Sequence, residues 1–85
     1  MTTYQKIGLA LAEARSRSGI DQPSLDRYLL THLPGYVSGS LSDWERGISL
    51  PTSEAVLAIL HICRSNVYLF MLNCGLEEMQ PLIDP

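Results

Sequence analysis

Every periodic stretch of this chain repeats at three to four residues, and glycine or proline bounds each one except between the fourth and fifth. That punctuation limits the chain to a set of short helices joined by tight connections. Ile7, Leu11 and Ala14 share one face of a segment over about 3–18, which Gly19 stops. Asp21 is a good helix cap and Pro23 falls in the first turn, where a missing N–H costs little, so a second helix runs to about His32. Leu25 and Leu29, with Leu30 beside them, form its inner face. A turn at Pro34-Gly35 precedes a third segment over about 38–46, with Leu41 and Trp44 inward and Gly47 as its stop. Segment four opens after Pro51 with Thr52 or Ser53 as cap and reaches about Cys63; segment five covers about 66–74 and stops at Gly75. No strand-like alternation has useful length. The expected fold is all-α, a compact bundle of about five helices.

At 85 residues the chain suits one domain with a modest core. Residues 1–76 are expected to form it and 77–85 a short acidic tail. Segments four and five, "EAVLAILHIC" and "VYLFMLNC", are apolar nearly all round. A surface helix ordinarily keeps a polar face, and so short a chain has little protein to cover two sides. A homodimer built on segment five is therefore expected, with Leu69, Phe70 and Leu72 as contacts. The competing reading places one of these helices at the centre of the monomer.

The net charge is −3. Residues 1–64 carry all six basic residues and six acids, so that part is neutral; Glu77, Glu78 and Asp84 give the remainder its charge. Two cysteines, Cys63 and Cys74, do not make a disulfide framework. Charges interrupt the first apolar run as a signal peptide would not allow. No run reaches the roughly 18 apolar residues of a membrane span. A soluble cytoplasmic protein is expected, with no membrane association.

"IGLALAEARSRSGIDQPSL" followed by "SLSDWERGISLPTSEAVLAIL" resembles the Cro/C1-type, phage-repressor-like helix-turn-helix family. The resemblance covers about residues 7–73. "WERG" with proline four residues beyond the glycine carries most of it, followed by "GIDQ" at the entry to helix two and by Gly8, Leu11 and Arg15 in helix one. The resemblance implies double-stranded DNA as partner, with helix three in the major groove. Ser38, Gly39, Ser40 and Asp43 then stand at the base-facing positions. Gln22 matches a residue that touches backbone phosphate. Arg15 and Glu45 match a pair bridging helix one to the end of helix three, and Leu41 and Trp44 match the buried face of helix three.

Three features depart from the family pattern. The stretch "LLTHLPGYV" makes the connection about five residues longer than usual, so the turn of the helix-turn-helix is lengthened and helix three is open to a tilt or shift. Asp26 stands at a position usually held by a small alanine, where it is expected to reach solvent or pair with a nearby arginine. Ala12 stands where many members carry a basic residue near phosphate.

The residue chemistry points to close but weakly specific reading. Serine bonds to most base edges, glycine offers only backbone, and aspartate accepts from the cytosine amino group. Arg17, Arg27 and Arg46 are the candidates for phosphate, alongside Gln22; a solvated charge is the plain alternative for each. Tyr36, in the inserted loop, is a further candidate for the DNA backbone. His61 and Cys63 lie two apart on a helix and diverge by about 200°, so they cannot share an ion. No metal, no cofactor and no catalytic set is expected, and the chain is not expected to be an enzyme.

The leading expectation is a DNA-binding transcriptional regulator, a repressor of phage, prophage or bacterial-operon type that binds a two-part operator as a homodimer. The rival is a protein-interaction module on the same fold, an antirepressor or anti-activator with weak or no DNA binding, using its apolar C-terminal helices on a protein partner. An antitoxin would combine the two. The acidic balance and the small reading face favour the rival; Gln22 and the "WERG" exit favour the regulator.

Overall fold

The computed structural model describes residues 1–74, with the backbone alone at 71–73. The expected tail over 77–85 and the side chain of Leu72 lie outside the described residues. Five helices follow in order: α1 (Thr3–Arg17), α2 (Gln22–His32), α3 (Ser40–Glu45), α4 (Ser53–Ile62) and α5 (Val67–Asn73). Among the described residues there is no strand. The fold is the expected all-α bundle, and no described helix is long and apolar enough to cross a membrane.

Local chemistry sets the helix ends. Thr2 and Gln5 form a reciprocal capping box at the start of α1. Asp21 accepts from the Ser24 N–H at 2.8 Å and Thr52 from the Ala55 N–H at 3.1 Å. Asn66 accepts from the Leu69 N–H at 3.0 Å and caps α5. Helix α3 is shorter than the sequence suggests. Gly39 sits at φ 91°, a left-handed conformation outside a right-handed helix, so Ser38 and Gly39 precede α3 rather than open it.

Helix α1 is the organising element and packs against α3, α4 and α5, while α2 packs against α3 and α4. The core contains the expected Leu11, Ala14, Leu25, Leu29, Leu41 and Trp44, joined by Ile59, Leu60 and Phe70. Leu30 is not part of it; at 48% exposure it faces outward, because α2 buries only the Leu25–Leu29 stripe. Helix α4 buries Ala55, Ile59 and Leu60 on one side and leaves Leu57 exposed. It is therefore not wrapped on all sides within the protomer. Phe70 turns into the protomer's own core, whereas Leu69 stands outside at 50% exposure. Of the three residues expected at a dimer contact, Leu69 is thus the one on the described surface.

Two glycines let α1 meet the end of α3 backbone to backbone. A Cβ at Gly8 would collide with the carbonyl oxygens of Trp44 and Glu45. Gly47, at φ 75°, forms the left-handed stop of α3: its N–H donates to the Trp44 carbonyl at 3.1 Å and the Ile48 N–H to the Asp43 carbonyl at 2.9 Å.

Candidate nucleic-acid interface

Helix α3 has six residues, fewer than a helix needs to persist alone in water. It is held from both ends by its neighbours. At its C-terminal end the Arg15 guanidinium meets Glu45 with both prongs, Nε to Oε2 at 2.8 Å and Nη2 to Oε1 at 3.0 Å. Arg15 also donates to the Ile20 carbonyl at 3.0 Å, which fixes the α1–α2 corner. The side chains of Arg15 and Glu45 are 19% and 7% exposed. The hydrogen bond to Glu45 pushes the Arg15 pKa above its ordinary value.

At the N-terminal end no residue of α3 supplies a cap. Two side chains from outside the helix share that role, Asp26 of α2 at the Gly39 N–H and the Tyr36 hydroxyl at the Leu41 N–H. The Asp26 Oδ2 accepts from the Ser38 hydroxyl at 2.8 Å and its Oδ1 from the Gly39 N–H at 3.0 Å. The Tyr36 hydroxyl also donates to Asp26 Oδ1 and in turn accepts from the Leu41 N–H at 3.1 Å. Asp26 does not pair with an arginine; the lengthened connection folds back over it and satisfies it with hydroxyls and backbone. That is how an acid fits between two packed helices. A carboxylate at the positive end of α3 also suits the helix dipole. The Tyr36 ring meets Trp44 edge-on with centroids 5.6 Å apart, which ties the loop to the core.

These bonds displace both titrations. The Tyr36 bond, aided by Gly39 and Ser38, holds the Asp26 carboxyl below its usual range. Burial, and next the bond to Asp26, pushes Tyr36 up to about 12 from 10.0. The native state therefore keeps the phenol proton more tightly than the unfolded chain. The stabilisation is complete below pH 10 and is lost as pH rises towards 12. Wild type should exceed Tyr36→Phe in stability most below pH 10, and the gap should close towards pH 12. Urea midpoints measured across this range check it; parallel curves would mean that Tyr36 does not clamp the loop through its hydroxyl.

The expected interface residues do not all face one way. With Leu41 and Trp44 buried, 100° per residue puts Ser42, Asp43 and Arg46 outward, each about 130° or more from the buried direction, while Gly39 is exposed just before the helix. Ser40 is only about 70° from it. It turns to a recess shared with Leu33, Pro34, Tyr36 and Thr52 rather than to the front. Ser42 instead borders the shallow surface between α2 and α3, with Gln22, Pro23, Ser38 and Gly39. Sequence reading passed over Ser42, although the spacing from Leu41 and Trp44 was enough to find it. The Gln22 amide donates to Glu45 Oε1 at 3.1 Å, so one N–H is occupied within the protein. Arg46 pairs with Asp43 at 3.1 Å, both well exposed. Arg27 reaches the Ser24 hydroxyl at 3.4 Å, and Arg17 is exposed at the end of α1. No cluster of cations stands on this face among the described residues.

Elsewhere, Cys63 is buried and His61 exposed, so the two diverge as expected. Burial pushes the Cys63 thiol up and the Cys74 thiol up to about 11, which keeps both protonated at neutral pH. No family model, curated protein or solved structure matches this chain.

Proposed function

We propose that this chain is a DNA-binding transcriptional regulator of the Cro/C1-like type, a repressor that docks α3 in the major groove and binds a two-part operator as a homodimer. The observation that carries this reading is the mounting of α3. A short helix is fixed at one end by Asp26 with the Tyr36 hydroxyl and at the other by Arg15–Glu45, while its outward face carries Ser42 and Gly39 stands exposed just before it. Small side chains on a rigid helix permit close approach to base edges, and such a mounting holds the approach angle. Arg27, Arg46 and Arg17 are the cations for phosphate. Gln22 has a second amide N–H to offer beside the one given to Glu45. The dimer forms through the exposed side of α5, where Val67, Tyr68 and Leu69 stand together.

Few cations imply a shallow salt response. Each phosphate neutralised contributes about −0.9 to the log–log slope, so two or three per protomer give roughly −4 to −5 for a dimer. Fluorescence anisotropy on a duplex enriched from random DNA should show that slope and two chains per site. Ser42→Glu should abolish the preference for the enriched duplex without changing thermal stability, because it adds bulk and like charge to the outward face. If wild type binds no duplex above background at about 50 mM salt, the reading fails.

One observation favours a second reading, the protein-interaction module. The Asp43–Arg46 pair cancels charge on the outward face of α3, and Ile48, Leu50 and Leu57, none of them in α5, add exposed apolar side chains elsewhere on the protomer. A chain that ignores DNA but forms a stable complex with a protein partner would decide for it.

A further inference from the structure

Helix α4 leaves one stripe to solvent. Glu54, Leu57, His61 and Arg64 are all exposed, at spacings of three, four and three residues, while Ala55, Ile59, Leu60 and Cys63 face the core. That is the spacing of a helix–helix seam. Leu57 stands within it at 56% exposure. Glu54 begins the stripe and Arg64 ends it, and among the described residues neither has an ion-pair partner.

The backbone at Arg64 is a second observation. Its N–H donates to the His61 carbonyl at 3.1 Å and the Ser65 N–H to the Leu60 carbonyl at 2.8 Å, the bonds of a left-handed helix stop. Arg64 sits at φ 53° and is the one non-glycine residue at positive φ among the described residues; Gly19, Gly35, Gly39 and Gly47 take the other such places. A glycine would sit there without steric cost. Strain kept at an exposed side chain points to a use for that side chain. The helix dipole favours an acid first and a base last, but it explains neither the exposed leucine between them nor an arginine at this φ.

We infer that this stripe is a contact between two copies of the chain, with α4 lying antiparallel on α4 of the second copy. The occupant follows from the order of the residues. Two-fold symmetry makes such a surface meet itself. The alignment that sets Glu54 against the partner's Arg64 also sets Leu57 against the partner's His61. Acid meets base at both ends, and the leucine covers the imidazole ring, so the stripe complements itself. The contact goes beyond the α5 dimer and does not depend on DNA binding. A ten-residue helix offers less than the roughly 1,200 Å² of a standard interface, so the association is weak and shows at high protein concentration.

Sedimentation equilibrium of the full chain carrying Leu69→Asp, which removes the α5 contact, measures the α4 contact by itself. A reversible monomer–dimer equilibrium is expected. Adding Glu54→Arg or Arg64→Glu should each weaken it about tenfold, since like charges then face each other, and adding both should restore it. A helix weakened through its dipole would be worse in the double variant, not repaired. Arg64→Gly should weaken association yet melt no lower than its parent, because the backbone strain is relieved. A Leu69→Asp chain that stays monomeric up to about 1 mM overturns the inference and leaves the α5 dimer standing. So does a double charge reversal that fails to restore association, or an Arg64→Gly variant that melts lower, which would give Arg64 a role in the protomer's own fold.

Discussion

Arg15→Ala should lower the melting temperature by roughly 12–24 °C. The estimate takes a loss on the order of 3 kcal/mol, the lower end for stranding one member of a buried pair because this pair is only partly buried, at about 4–8 °C per kcal/mol in a domain of this size. The loss is large because Glu45 is 7% exposed and would keep only the Gln22 amide as partner. The Ile20 carbonyl would lose its donor as well. Arg15→Met combined with Glu45→Leu should recover much of the loss, since neither charge is then left buried and both replacements fill space. Differential scanning calorimetry on the three proteins decides it. A single variant melting within about 2 °C of wild type would show that the pair does not join α1 to α3.

Gly8→Ala should be comparably damaging, against what helix propensity alone would say. In a helix interior, alanine is favoured over glycine by up to about 1 kcal/mol. At Gly8 the new methyl would instead lie 2.8 Å from the Glu45 carbonyl oxygen and closer still to that of Trp44. Both are backbone atoms and cannot rotate away. Overpacking costs about 1–3 kcal/mol where side chains can yield, so a net loss near the upper end is expected. Because α1 must move away from α3, the Arg15–Glu45 bonds should lengthen, and the environment of Trp44 should change. Thermal melting with near-ultraviolet circular dichroism reports both; a variant more stable than wild type would mean that the helices do not approach this closely.

The helices themselves were readable because their signals are local: Asp21, Thr52, Gly19, Gly47 and the period of Leu25, Leu29, Leu41 and Trp44. The Arg15–Glu45 contact was available through family resemblance, as 30 residues separate the partners and no local rule links them. The sequence places the start of α3 two residues early because the serines of "SGS" look like caps, whereas the N–H groups of Gly39 and Leu41 go to Asp26 and to the Tyr36 hydroxyl. For the same reason Ser40 was set on the front and Ser42 overlooked. Leu30 was misassigned because α2 has more leucine than its buried stripe can use. Periodicity fixes which side chains can share a face; it does not say which long-range partner will close a helix end.

The borrowed cap of α3 has a kinetic consequence. A six-residue helix held at its start by Asp26 of α2 with the Tyr36 hydroxyl, and at its end by Arg15 of α1, cannot form before those helices have docked. It should therefore appear late in folding and vanish with the whole domain, not fray on its own. Its amide protons should exchange with solvent only through global opening, as slowly as those of α1. A ligand meeting α3 would then find a finished surface, and its association rate would contain no step in which that helix is made.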